Sequence, residues 1–186
     1  MKCYIFSNCL KSSPADYRAK VKKLNIMPED HLIFLNKGNL LYPYRDYFNQ
    51  FKHIHMVMRN CKRFGIPSYF GFDDAYEYAH LFEDVCGVTA DTAEVTLVRG
   101  KYDKTNSCKT TTIHSDKVQE YIDKTKCVPT TGYLAYYLAP ILTGVKETGI
   151  ILVNFYGNND NSTGKWNGHA WSFEDEWLKG RIRVFC

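Results

Sequence analysis

What most constrains this chain is a recurrence. Short apolar runs of strand length return along the sequence, with helical or polar stretches between them. The runs are Cys3–Phe6, His31–Asn36, His53–Arg59, Glu94–Arg99, Gly149–Phe155 and Arg181–Phe185. Several are rich in Ile and Val with few alternating polar positions, the pattern of strands covered on both faces. The segments Ala15–Leu24, Ala75–Asp84 and Ser115–Lys124 read as helices. Such alternation predicts an α/β fold, with a mainly parallel sheet between helices. Val88–His114 breaks the rhythm: two β-like stretches flank Gly100-Lys101 and Asn106, as in a hairpin or an extended excursion from the sheet. No repeat, low-complexity tract or linker divides the 186 residues, so 1–186 is read as one domain with a core large enough to need no staples.

Charge and cysteine usage narrow the classes. A net charge of +4 is compatible with an anionic ligand, but there is no Lys/Arg-rich block of the kind nucleic-acid binding needs. Lys20, Lys22 and Lys23 read as a solvated helix face. The seven cysteines (Cys3, Cys9, Cys61, Cys86, Cys108, Cys127, Cys186) are odd in number and hold no CxxC pair, which argues against a zinc ribbon or a disulfide framework. The opening MKCYIFSNCLK has too short an apolar run for a signal peptide or membrane anchor, so a cytoplasmic protein with reduced thiols is expected. The 14 tyrosines suit either sugar or base stacking or, more plainly, packing at interfaces.

Ligands of open α/β sheets bind beyond the carboxyl ends of the strands. One segment suited to that place is VPTTGYLAYYLAPILTG, residues 128–144. Pro129 keeps the residue before it extended, Thr130 or Thr131 can cap a helix, and Pro140 is expected to bend or end it. Gly132 falls in the first turn, where free N–H groups and the helix dipole favour an anion and a missing Cβ permits close approach. The same residues also describe a threonine-capped core helix whose glycine packs closely on a neighbour.

A second segment follows the strand GIILVNFYG. The polar loop GNNDNSTGKWNG, of the sort that covers active sites, leads into HAWSFEDEWLKG. Ser172 with Asp175 matches a capping box, placing a helix start near Phe173 and His169 just ahead of it. A helix N-terminus disfavours imidazolium and keeps a histidine able to accept a proton. Glu174 could then hold the other ring nitrogen and set the tautomer. Alternatively, His169 is a surface residue, and Glu174, Asp175 and Glu176 simply complement the dipole.

Taken together, these segments resemble the sialyltransferases. That family carries a Pro-x-Thr/Ser-Gly helix start, an apolar helix, a strand, and a loop leading to His-x-x-x-x-Glu. Here the order is Pro129-Thr130-Thr131-Gly132, a helix to about Leu142, the strand Ile150–Phe155, then His169 with Glu174. The likeness covers about residues 128–178. In the N-terminal half, Asn8 and Asn36 fall where the family's donor-binding asparagines stand, without the glycines that flank the first.

The resemblance implies a single Rossmann-like nucleotide-binding domain and an inverting, metal-independent glycosyltransferase. It would move an acidic sugar, sialic acid or a related ketose acid, from a CMP donor to an acceptor hydroxyl. His169 would be the base, assisted by Glu174; Thr130, Thr131 and Gly132 would line the nucleotide and leaving phosphate, with Asn8 and Asn36 nearby. No cofactor is implied, and no Asp-x-Asp metal motif occurs; Asp73-Asp74 reads as a helix cap. The implied partners are a glycan or glycolipid acceptor and the inner face of a bacterial membrane, in surface polysaccharide or lipopolysaccharide synthesis. Two other readings stay open. One is an inactive nucleotide-binding relative, suggested by the missing glycines. The other is an unrelated nucleotide or phosphate hydrolase with His53, His55 or His114 as metal ligands, the first two sharing a strand face.

Overall fold

The computed structural model describes residues 1–7, 14–35, 45–48, 50–59, 84–89, 94–100, 109–156 and 168–186. Within them lie strands β1 (Cys3–Phe6), β2 (His31–Leu35), β3 (His53–Arg59), β4 (Asp84–Thr89), β5 (Glu94–Gly100), β6 (Lys109–His114), β7 (Ile150–Val153) and β8 (Arg183–Val184). The helices are α1 (Pro14–Lys22), α2 (Arg45–Phe48), α3 (Asp116–Thr125), α4 (Thr131–Thr143) and α5 (Trp171–Lys179). All the strands join one sheet, in the order β6-β5-β4-β3-β2-β1-β7-β8. Pairing is parallel from β4 across to β8 and antiparallel through β4-β5-β6. The chain is therefore an α/β fold on a mainly parallel sheet, and β5 and β6, within the stretch Val88–His114, extend it antiparallel from β4.

Alternation along the central strands divides the core. Cys3, Ile5, Ile33, Leu35 and Val57 face a layer containing Val118 of α3, Leu134, Ala135 and Leu138 of α4, and Leu178 of α5. Tyr4, Phe6, Leu32, Phe34, Ile54 and Met56 face the other way, toward Val21 of α1 and Phe48 of α2. Every residue of β1 and β2 is buried, which explains why those runs lack polar alternation. Full burial of such a side chain contributes about 1.5–3 kcal/mol, so these central strands anchor the fold. Tyrosines pack between helices: Tyr121, Tyr133 and Phe173 form one cluster, and Trp177 Nε1 donates to Tyr137 Oη at 3.0 Å. Lys20, Lys22 and Lys23 are exposed.

Three local expectations are corrected. α5 starts at Trp171, not near Phe173, and its N-cap is Ala170 with no side-chain cap bond, so Ser172 and Asp175 form no capping box. Pro140 does not end α4, which runs to Thr143 and closes at Gly144 in the left-handed region (φ 72°). A proline one turn from a helix end forfeits a single backbone bond, and the buried apolar face keeps that turn in place. Asp84 opens β4 rather than closing a helix; the rest of Ala75–Asp84, together with Asp73 and Asp74, lies outside the described residues. Among the described residues no helix is long and apolar enough to cross a membrane.

Candidate active site at the N-terminus of helix α4

α4 packs on β1, β2 and β3 and leads back to β7, so its first turn lies over the carboxyl ends of the parallel strands. β1 proceeds to β2 on one side while β7 flanks it on the other; strand order reverses here, the place where such sheets bind ligands. Ser7, just past β1, ties the two strands: its N–H donates to the Val153 carbonyl at 3.0 Å and its Oγ to the Asn154 carbonyl at 2.6 Å.

Thr130 is the N-cap of α4, its Oγ1 accepting from Tyr133 N at 3.1 Å. Thr131 and Gly132 follow in the first turn, both buried. A Cβ built on Gly132 would stand 2.5 Å from Phe155 Cε1 and 3.6 Å from Leu35 Cδ1. The close approach that needs glycine is thus the chain's own Phe155 ring, arriving from the end of β7.

His169 immediately precedes the N-cap of α5. Its Nδ1 lies 2.7 Å from the carbonyl oxygen of Val128, and Val128 N donates to Gly168 O at 3.3 Å. A carbonyl only accepts, so Nδ1 carries a proton, and in the neutral ring Nε2 holds the lone pair. That is the tautomer expected of a base, and the carbonyl of Val128 is the group that favours it.

Glu174 serves another helix. Its Oε1 accepts from Thr130 N at 2.9 Å and from Tyr121 Oη at 2.8 Å, and its Oε2 from Thr130 Oγ1 at 2.6 Å. It does from α5 what a capping-box glutamate does from within its own helix, and complements the dipole of α4. A carboxylate buried at 6% exposure is tolerable here because both oxygens are bonded. Tyr121 Oη in turn accepts from Ala170 N at 3.0 Å. Burial, and then the nearby Glu174 charge, push its phenol well above the usual tyrosine range.

The structure therefore brings His169, Glu174, Thr130, Thr131 and Gly132 to one edge of the sheet. Asn8, Asn36 and the loop residues 157–167 lie outside the described residues, although their neighbours stand at this edge, Ser7 just past β1 and Leu35 at the end of β2. Sequence reading missed Tyr121, Val128 and Phe155. Tyr121 shares the apolar stripe of α3 with Val118 and reads as core, and a backbone carbonyl leaves no trace in a sequence.

The other histidines lie elsewhere. His31 and His55 are buried at the amino ends of β2 and β3, with His31 Nδ1 and His55 Nε2 2.9 Å apart. His53 and His55 both stack on His31, with ring centroids 4.6 and 5.2 Å from it, so the two lie on one face of β3. His114 is exposed at the end of β6, 3.1 Å from Asp116. Among the described residues no group of three His, Cys, Asp or Glu side chains is arranged to hold a metal ion. No family model, no curated protein and no solved structure matches this chain.

Proposed function

We propose that this chain is a Rossmann-like, inverting glycosyltransferase that moves an acidic sugar from a CMP donor to an acceptor hydroxyl without a metal. The observation that carries the reading is His169 beside the first turn of α4, its Nδ1 proton directed to Val128 O at 2.7 Å. With Nε2 as the basic nitrogen, His169 takes the proton of an acceptor hydroxyl. The oxygen attacks the anomeric carbon from one face as CMP leaves from the other, inverting the centre. Thr131 and Gly132, with Asn8 and Asn36, line the nucleotide and its phosphate. Partners are a CMP-activated ketose acid and a glycan or glycolipid acceptor. The working place is the cytoplasm, at the inner face of a membrane, with no nucleic acid involved.

One pair of contacts favours a second reading. Glu174 already occupies the Thr130 donors, and Phe155 fills the space above Gly132. These contacts occupy two of the groups that would line the donor, which fits a relative that transfers no sugar and binds nucleotide through the remaining residues of this edge.

Thermal unfolding with CMP, CDP, UDP and GDP, each with and without EDTA, tests both. A ligand at 100 times its Kd adds about 2.7 kcal/mol, a shift of several degrees. CMP alone is expected to stabilise, regardless of EDTA; absence of a CMP shift removes both readings. With a CMP-sugar and acceptor, His169→Ala is expected to lower transfer by about 10²–10⁴ while leaving CMP affinity intact. Binding without transfer by the unaltered protein leaves the inactive relative.

A further inference from the structure

A tyrosine with no exposed surface presents a problem that phenylalanine would not. The ring of Tyr121 packs against Tyr133, centroids 4.8 Å apart, and against Phe173 at 5.0 Å. Phenylalanine would make those contacts without the cost of drying a hydroxyl. The hydroxyl instead links two chain segments, donating to Glu174 Oε1 and accepting from the backbone N–H of Ala170, the residue after His169.

That placement has a consequence for the imidazole. Tyr121, Val128 and Thr130 belong to one continuous stretch running from α3 into α4; Gly168, His169, Ala170 and Glu174 belong to the other. The ring bond from His169 Nδ1 to Val128 O crosses between the stretches and depends on their separation. Ala170 gives α5 no side-chain cap, and among the described residues its own N–H donates to the Tyr121 hydroxyl alone. Removing it leaves that N–H without a partner and frees the backbone beside His169.

We infer that Tyr121 is a positioning residue for His169: its hydroxyl, clamped between Ala170 N–H and Glu174, keeps the imidazole on Val128 O and so in the Nδ1–H tautomer. The inference rests on His169 being the base of the proposed reaction. The geometric part, however, can be measured in the free protein.

Two-bond proton–nitrogen correlation spectra of the imidazole rings report the tautomer directly, with the His169 signals assigned by His169→Gln. The unaltered protein is expected to show the Nδ1–H form, and Tyr121→Phe to lower the ratio of Nδ1–H to Nε2–H at least threefold. Phe173→Leu is the control. It loosens packing around Tyr121 while sparing the hydroxyl, and should leave the ratio unchanged. An unchanged ratio in Tyr121→Phe overturns the inference, as does an equal change in Phe173→Leu, which would make packing the cause. In a transfer assay Tyr121→Phe should lower kcat about tenfold with KM for the CMP-sugar unaltered. A protein that never transfers sugar refutes the proposed reaction, while the tautomer ratio still decides the role of Tyr121.

Discussion

Gly132→Ala separates the two reasons for a glycine at the start of α4. Its backbone is helical and its φ is not positive, so alanine fits the conformation and only space opposes it. Helix propensity favours alanine by about 1 kcal/mol. Against this, the new methyl lies 2.5 Å from Phe155 Cε1 and 3.1 Å from Cζ, the first about an ångström inside ordinary carbon contact. The aromatic ring must swing as a body, and overpacking of that kind costs about 1–3 kcal/mol. The expected net effect is a loss of about 1 kcal/mol, read as a lower urea midpoint at constant m-value. Phe155→Ala removes the obstacle, so in that background Gly132→Ala should stabilise by up to about 1 kcal/mol. The double-mutant cycle should show a coupling of about 1–3 kcal/mol. A Gly132→Ala protein that is stabilised while Phe155 is present, or zero coupling, would refute the packing argument. Glycine would then have to be explained by something outside the chain.

Two further perturbations test the surroundings. Glu174→Ala strands Thr130 N, Thr130 Oγ1 and Tyr121 Oη together, and should cost about 3 kcal/mol in urea unfolding, against a smaller loss for Glu174→Gln, which preserves an acceptor oxygen. Equal losses would show that hydrogen bonding does not govern the site. Burial raises the phenols of Tyr121, Tyr133 and Tyr136, and raises the Cys3 thiol to about 12. Groups raised in the fold give stability that is complete below their unfolded values, here 9.0 for the thiol and 10.0 for the phenols, and lost as pH rises above them. The urea midpoint should therefore be insensitive to these groups at pH 8 and fall steeply between about pH 9.5 and 11.5. A midpoint that holds through that window would contradict their burial.

Local pattern carried much of the fold. β1 and β3 begin and end where their strand-length runs do; in β1 this is because a central strand has to be apolar on both faces and its run stops where burial stops. A threonine cap at 130 or 131 was legible for a similar reason, and the structure puts it at Thr130: capping is a bond between a side chain and a backbone N–H three residues on. Where local rules compete, reading along the chain failed. Ser172 and Asp175 have capping-box spacing, yet α5 begins earlier, where its entry is pinned by Tyr121 through Ala170 N. Of the bend or end expected at Pro140, the end does not occur, because contacts with the sheet outweigh one missing helix bond.

The candidate site divides in the same way. The sequence alone determined that His169 precedes a helix and that Thr130, Thr131 and Gly132 start another, since spacing of a few residues decides such matters. Which groups meet across that edge was a tertiary decision. Glu174 reaches Thr130 across 44 residues and Tyr121 across 53, and His169 reaches Val128 across 41. Partners so far apart are chosen by how helices pack on the sheet, and the pairing of Gly132 with Phe155 follows from the strand order that brings the end of β7 beneath α4. Hydrogen bonds and steric contacts act over a few ångströms in space, so only the folded chain could tell that Glu174 caps a helix and that the Val128 carbonyl meets the histidine ring.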